Sequence, residues 1–253
     1  MTADYLDVAI KAVKTSGEIL IDYFEKLHDF RQKNQNIRDL VTEVDILSEK
    51  NIKNIIKEAF PGHSIKAEES SIEKKDTTRI WHIDPIDGTV NYSQGIPICA
   101  ISVALEENNE IVTGVIFNPF SDELYFSSKG HGAYLNGKQI HVSQKDNLKD
   151  GLYVAAFSSA SSEEKKKEYE IFGRMNDSTR GVLRIGSAAL ALAYCAHGRI
   201  DGFWAKDLYS WDLAAGTVMV KEAGGMVFQS AQNILIASNA SLHKALLQQL
   251  EGL

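Results

Sequence analysis

The succession of apolar patterns along the chain predicts an α+β or layered α/β fold. Three observations carry this expectation. Apolar residues recur at helical spacing up to about residue 60. Residues 98–140 break into short β-branched and aromatic runs separated by turn signals, and beyond about residue 150 helical and strand patterns alternate. At 253 residues the chain can bury one large core or two packed halves. We expect a single unit over residues 1–253, with an N-terminal α+β half to about residue 145 and a C-terminal α/β half from about residue 146.

Leu6, Ile10, Val13, Leu20, Phe24 and Leu27 mark one face of a long first helix, interrupted at modest cost by Gly17. The polar stretch 30–38 reads as a loop, its Lys33 as a solvated side chain. Thr42 or Asp45 is placed to cap a second helix that runs to Phe60 and stops at Pro61-Gly62. Residues 65–70 suggest a strand ending in carboxylates, and 80–83 a buried strand ended by Pro85. Residues 98–105, 111–117 and 123–127 are strands, and Asn136-Gly137 marks a tight hairpin. Residues 152–157 are a further strand, and 158–167 a polar segment whose three lysines mark a solvated helix face. Ser187 caps a small-residue helix stopped at His197-Gly198. Residues 199–204 read as a strand, and a helix opened near Ser210 ends at Gly224-Gly225. Two short strands and a closing leucine-rich helix complete the chain.

Composition narrows the function classes. A net charge of −7 argues against general nucleic-acid or acidic-membrane binding. The longest apolar run, 188–196, is about half of the ~20 residues a spanning helix needs. The N-terminus has no apolar signal core, and the two cysteines, Cys99 and Cys195, read as buried free thiols. A cytoplasmic enzyme or binding protein is expected.

The chemistry concentrates at Ile80-Trp81-His82-Ile83-Asp84-Pro85-Ile86-Asp87-Gly88-Thr89. An apolar strand meets two carboxylates three residues apart, then a glycine turn that opens a helix. Such a pair beside unpaired N–H groups can hold a divalent cation and an anion together; it can equally be a strand end and a helix cap. Asp45 is either a cap or a carboxylate that orients or deprotonates a water. Glu68 and Glu69, adjacent in an extended stretch, point to opposite faces and cannot easily share one role.

Four segments in order resemble one family. Trp81-His82-Ile83-Asp84-Pro85-Ile86-Asp87-Gly88-Thr89 is similar to the signature of the inositol monophosphatase family of lithium-sensitive, magnesium-dependent phosphatases. Asp39-Leu40-Val41-Thr42-Glu43-Val44-Asp45 resembles its early Asp motif, and Glu68-Glu69-Ser70 its Glu-Glu motif. Trp211-Asp212-Leu213-Ala214-Ala215-Gly216, followed by Glu222-Ala223-Gly224-Gly225, resembles its C-terminal signature. The resemblance implies a layered αβαβα sandwich, with a larger antiparallel sheet and a smaller C-terminal mixed sheet. It implies two or three Mg²⁺ ions held by Glu68, Asp84, Asp87, Asp212 and the Ile86 carbonyl. Asp45 and Thr89, with Glu68, would position and activate a water. Asp87, Gly88, Thr89, Gly186, Ser187, Ala188 and Asp212 would contact substrate.

The implied activity is hydrolysis of a small phosphate monoester, myo-inositol 1-phosphate or a similar sugar or polyol phosphate, without a covalent phosphoenzyme. Fructose 1,6-bisphosphate, histidinol phosphate and 3′-phosphoadenosine nucleotides are the alternatives within the family, and a non-catalytic binding or regulatory protein is the alternative outside it. A homodimer is implied, with neither nucleic acid nor membrane as a partner. Two departures bear on substrate. Ala205 stands where inositol phosphatases usually carry a glutamate that contacts ring hydroxyls, and the connection from Phe228 to Ile234 is shorter than usual.

Overall fold

The computed structural model describes residues 4–32, 37–157, 162–230 and 234–251. Lys33, most of the expected 30–38 loop, the start of the polar stretch at 158 and the turn before Ile234 lie outside these residues or their described side chains.

Helices α1 (Tyr5–Gln32) and α2 (Ile37–Ala59) precede a seven-stranded sheet. Its strands are β1 (Ser64–Ala67), β2 (Arg79–Asp87), β3 (Ala100–Glu107), β4 (Glu110–Asn118), β5 (Glu123–Ser128), β6 (Ala133–Leu135) and β7 (Lys138–Ile140). They lie side by side in chain order. All neighbours are antiparallel except β1, which runs parallel to β2. A five-residue helix α3 (Thr89–Ser93) follows β2. The C-terminal part contains β8 (Leu152–Ala156), α4 (Ser162–Ser178), β9 (Gly181–Leu183), α5 (Ala188–Ala196) and β10 (Gly202–Lys206). It continues with α6 (Ser210–Glu222), β11 (Gly225–Gln229), β12 (Ile234–Asn239) and α7 (Ala240–Gln249). Its sheet has the order β11-β12-β10-β8-β9, parallel across β10, β8 and β9 and antiparallel at β12.

The layers follow from strand alternation. Along β3, Ile101, Val103 and Leu105 face α1 and α2 in one apolar cluster, while Ala100 and Ala104 face α5 and α6 in another. The small side is required by the approach of the helices. A Cβ on Gly114 of β4 would fall 2.6 Å from the Ala215 carbonyl oxygen of α6, and one on Gly216 would fall 2.3 Å from Leu192 of α5. Helices α5 and α6 are thus sandwiched between the two sheets, and α4 and α7 cover the far face through Ile171, Met175 and Leu246. The five layers are α1α2, large sheet, α5α6, small sheet, α4α7.

Several local expectations are corrected. Helix α1 runs to Gln32, and α2 begins at Ile37, so Thr42 and Asp45 lie inside α2 rather than at its N-cap. Pro85 does not end β2, which continues to Asp87 through a register shift between Asp84 and Asp87. A bulge is where a strand tolerates a residue with no N–H. Strand β10 starts at Gly202, because residues 199–201 first close the turn after α5.

Candidate active site

The bulge in β2 determines where its two acids point. In a regular strand, residues three apart face opposite sides. Here Asp84 pairs with Ser102 and Asp87 with Ala100, so two residues of β2 oppose the single Ile101. The extra residue returns Asp87 to the side occupied by Asp84. Local bonds hold the bulge open: the Ile86 N–H donates to Asp84 Oδ1 at 3.0 Å, and Ser48 Oγ of α2 donates to the Pro85 carbonyl at 3.3 Å.

Asp212, in the first turn of α6, completes a group in which one oxygen from each of Asp84, Asp87 and Asp212 lies within 4.8 Å of the others. Asp84 is 1 % exposed and Asp87 9 %. Each acid has a separate anchor. Asp212 accepts the Tyr209 N–H at 2.7 Å. Asp87 sits on the N-terminus of α5, accepting Ser187 Oγ at 2.5 Å, the Ala189 N–H at 2.6 Å and the Ala188 N–H at 3.2 Å. The free N–H groups of a helix start favour an anion there.

Among the described residues, no ion pair joins Asp84, Asp87 or Asp212 to a cationic side chain. Burial first, then Asp87, Glu68 and Asp212, push the Asp84 carboxyl well above the usual carboxylate range. Burial and Asp87 push Asp212 up to about 7. Asp87 is raised by burial although Ser187 and the α5 N–H groups oppose the shift. Glu68, just past the end of β1, is solvent-exposed, but its carboxyl is crowded enough to be raised by desolvation, and it shares a hydrogen bond with Asp84. Its N–H donates to the Ile83 carbonyl at 3.2 Å, while the Glu69 N–H donates to Glu49 of α2 at 2.8 Å. Asp45 is buried on α2, and among the described residues its Oδ1 has no hydrogen-bond partner. Burial, followed by Glu69, Glu68 and Glu49, pushes it up to about 8.

This donor set suits a hard divalent cation: it is all oxygen, mutually repelling and largely desolvated. The Ile86 carbonyl accepts Thr89 Oγ at 2.9 Å and keeps a second lone pair. Gly88 bridges Asp87 and Thr89 in a left-handed conformation, φ 102°; a Cβ there would lie 3.0 Å from the Ile98 carbonyl oxygen and 3.1 Å from Cys99 Cβ. Helix α3 has only five residues, so the dipole it presents at Gly88 and Thr89 is small. Gly186, Ser187 and Ala188 line a cavity of about 190 Å³ together with Asp87 and Asp212. The Ser187 hydroxyl and Ala188 N–H are already engaged by Asp87. Ala205 is 1 % exposed within the apolar cluster around α5 and α6.

Other supporting residues were not visible in the sequence. His82 Nε2 lies 3.0 Å from Glu106 of β3, and its Nδ1 lies 3.0 Å from Ser210 Oγ at the start of α6. Burial lowers the His82 pKa, so the neutral ring donates to Glu106 and accepts from Ser210. This chain ties β2 to the helix that carries Asp212. Asn91 Nδ2 donates to the carbonyls of Ile98 and Ile185 and holds the approach to α5. No residue spacing signals either arrangement.

A family model described as "Inositol monophosphatase family" matches residues 1–252. The chain belongs to the inositol monophosphatase family. A fructose-1,6-bisphosphatase/inositol-1-monophosphatase of Aquifex aeolicus is 36% identical over 248 residues, covering 96% of this chain and 94% of that protein. The Nus factor SuhB of Pseudomonas aeruginosa is 33% identical over 258 residues, covering 97% and 95%. A solved inositol monophosphatase from Anabaena superposes with a TM-score of 0.86 at 35% identity, covering 97% of this chain and 94% of that one. This inositol monophosphatase family member is therefore a phosphatase, a phosphoric monoester hydrolase of a metal-dependent family, with a small phosphorylated substrate and the fold of its solved relatives. No helix among its described residues is long and apolar enough to cross a membrane.

Proposed function

We propose that the protein hydrolyses small polyol or sugar phosphate monoesters, myo-inositol 1-phosphate first among them, in a Mg²⁺-dependent reaction. The observation that carries this reading is the convergence of Asp84, Asp87 and Asp212 within 4.8 Å in a largely buried setting. Together with Glu68 and the Ile86 carbonyl they would hold two or three Mg²⁺ ions. Mg²⁺ favours few carboxylates and leaves positions for water and phosphate. When bound, the ions supply charge neutralisation at the phosphoryl oxygens and acidify water.

The chain's own groups do the rest. Thr89 donates its hydroxyl proton to the Ile86 carbonyl, which leaves Oγ free to accept a hydrogen bond from the attacking water. Asp45 keeps an unpaired oxygen, and its raised proton affinity suits a general base working near neutral pH. Glu68, close to both Asp45 and Asp84, assists in orienting that water. The N–H groups of Gly88 and Thr89 would hold phosphate oxygens, and Gly186, Ser187 and Ala188 would border the leaving alcohol.

The cluster draws Asp84 and Asp87 from the first half of the chain and Asp212 from the second, which supports reading residues 1–253 as one catalytic unit. We extend the proposal to a cytoplasmic homodimer with no nucleic-acid partner, in keeping with the family resemblance and the net charge of −7. Phosphate release from a panel of esters, with and without Mg²⁺ and with Li⁺ added, tests the reading. We expect Mg²⁺-dependent release that Li⁺ suppresses; absence of release from every ester would refute it.

A further inference from the structure

We propose that Glu49 and Lys53 of α2 are positioning residues that fix where the Glu68 carboxylate stands for cation binding. This rests on the hydrolytic reading above, in which Glu68 is a metal ligand, and names what holds that ligand in place. Residues 68–72 follow β1 without regular secondary structure. Backbone bonds pin the two ends of this segment. The Glu68 N–H donates to the Ile83 carbonyl, and Ile65 and Glu73 exchange two bonds at 3.0 and 2.9 Å. Between those ends the segment meets α2 across a cavity of about 460 Å³. Of the side chains lining that cavity only Ile46 is apolar, and it is 52 % exposed. Ile72 of the segment is itself 48 % exposed. Apolar burial therefore does little to hold the segment against the helix, and polar ties must set its position.

Two α2 side chains make those ties. Asp45, Glu49 and Lys53 are spaced by four and lie along one face of the helix. Glu49, 4 % exposed, accepts the Glu69 N–H through Oε2 at 2.8 Å. Lys53 donates to Ser70 Oγ at 2.8 Å, pairs with Glu73 Oε1 at 2.6 Å and lies 3.6 Å from Glu49 Oε1. One ammonium thus links the helix to both Ser70 and Glu73 while it offsets the charge of Glu49. The grip of Glu49 falls on the peptide N–H of the residue after Glu68. The Glu68 carboxylate, which shares a hydrogen bond with Asp84, is thereby referenced to the helix that carries Asp45 one turn earlier. The acid at 49 is kept at an electrostatic cost. Burial is the first cause of the raised pKa of both Asp45 and Glu69, and the charge of Glu49 adds to each. Its hydrogen bond to the segment is what that cost maintains.

The test titrates Mg²⁺ calorimetrically into metal-free wild type, Glu49→Ala, Glu49→Gln and Ser70→Ala, and follows phosphate release from myo-inositol 1-phosphate over the same Mg²⁺ range. Glu49→Ala should weaken Mg²⁺ binding about ten- to a hundredfold, the usual loss when a group supporting a metal ligand is removed. Its half-activating Mg²⁺ concentration should rise by the same factor, while kcat and KM for the ester return to wild-type values at saturating Mg²⁺. A general fold defect would instead depress kcat at every Mg²⁺ concentration. Glu49→Gln keeps an acceptor for the Glu69 N–H and should recover most of the loss. Ser70→Ala removes one Lys53 tie and should shift Mg²⁺ binding the same way by less; it carries the test if Glu49→Ala does not fold. Amide hydrogen exchange at Glu69 in the metal-free protein should quicken in Glu49→Ala and not in Glu49→Gln. Unchanged Mg²⁺ affinity in Glu49→Ala would overturn the proposal. A Glu49→Gln protein as weak as Glu49→Ala would overturn it too, because charge rather than position would then be at work. Release from no ester by wild type would refute the hydrolytic reading itself, and the calorimetry would still decide whether Glu49 and Lys53 position the ligand.

Discussion

Asp45 and Asp87 are both buried carboxylates, but they are held in opposite ways. Asp87 is satisfied by three donors at the start of α5, whereas one Asp45 oxygen meets no donor among the described residues. An unsatisfied buried acceptor costs stability and persists where it serves a ligand or a reaction. Replacing Asp45 by Asn should lower kcat by about 10²- to 10⁴-fold, the usual worth of a general base. The same change should make the metal-free protein more stable at alkaline pH, because it removes a carboxylate that resists ionisation; urea unfolding measures this. Asp87→Asn keeps the shape but weakens both the α5 anchor and the acidic cluster. We expect the fold to survive, with turnover reduced at least about 100-fold, the upper range for losing a group that merely supports a metal ligand.

At the scale of elements, the site depends on how β2 meets α5 and α6. Legibility in the sequence ends here. The acids 84, 87 and 212 stand out as residues in recognisable motifs, and the helix–sheet–helix order is readable from period and turn chemistry, down to the Asn136-Gly137 hairpin. The bulge is not readable, because a proline after an apolar run signals a strand end as well as it signals an irregular strand. The start of α2 at Ile37 is equally hidden: Thr42 and Asp45 have the chemistry of caps, and only upstream helix formation makes them interior. Long-range links such as Glu106–His82–Ser210 leave no periodic trace. His82→Ala should leave Glu106 and Ser210 without their partner and cost about 1–3 kcal/mol in urea unfolding. His82→Gln, which can donate and accept, should recover part of that loss.

Across the whole molecule, five layers bring acids from distant parts of the chain into one desolvated group, and this makes stability depend on pH and cations. Asp45 at about 8 and Asp212 at about 7 both lie above their ordinary value, so the folded state binds more protons than the unfolded one across the interval between. Stability of the metal-free protein should therefore be greatest in mild acid and fall as pH rises through about 7 to 8. Mg²⁺ should reverse the trend, stabilising most at the alkaline end, because its binding displaces those protons. Thermal melts across pH, with and without Mg²⁺, would show this as two curves that diverge with rising pH; parallel curves would contradict it. The central claim, that this acidic cluster makes the protein a cation-dependent phosphatase, meets its most direct test in one assay. Mg²⁺ is titrated into metal-free wild type and Asp84→Asn side by side, and phosphate release from myo-inositol 1-phosphate and fructose 1,6-bisphosphate is followed. The account predicts saturable activation of the wild type and near-complete loss in the variant with its fold retained. Equal activity in both proteins, or activity indifferent to Mg²⁺, would contradict it.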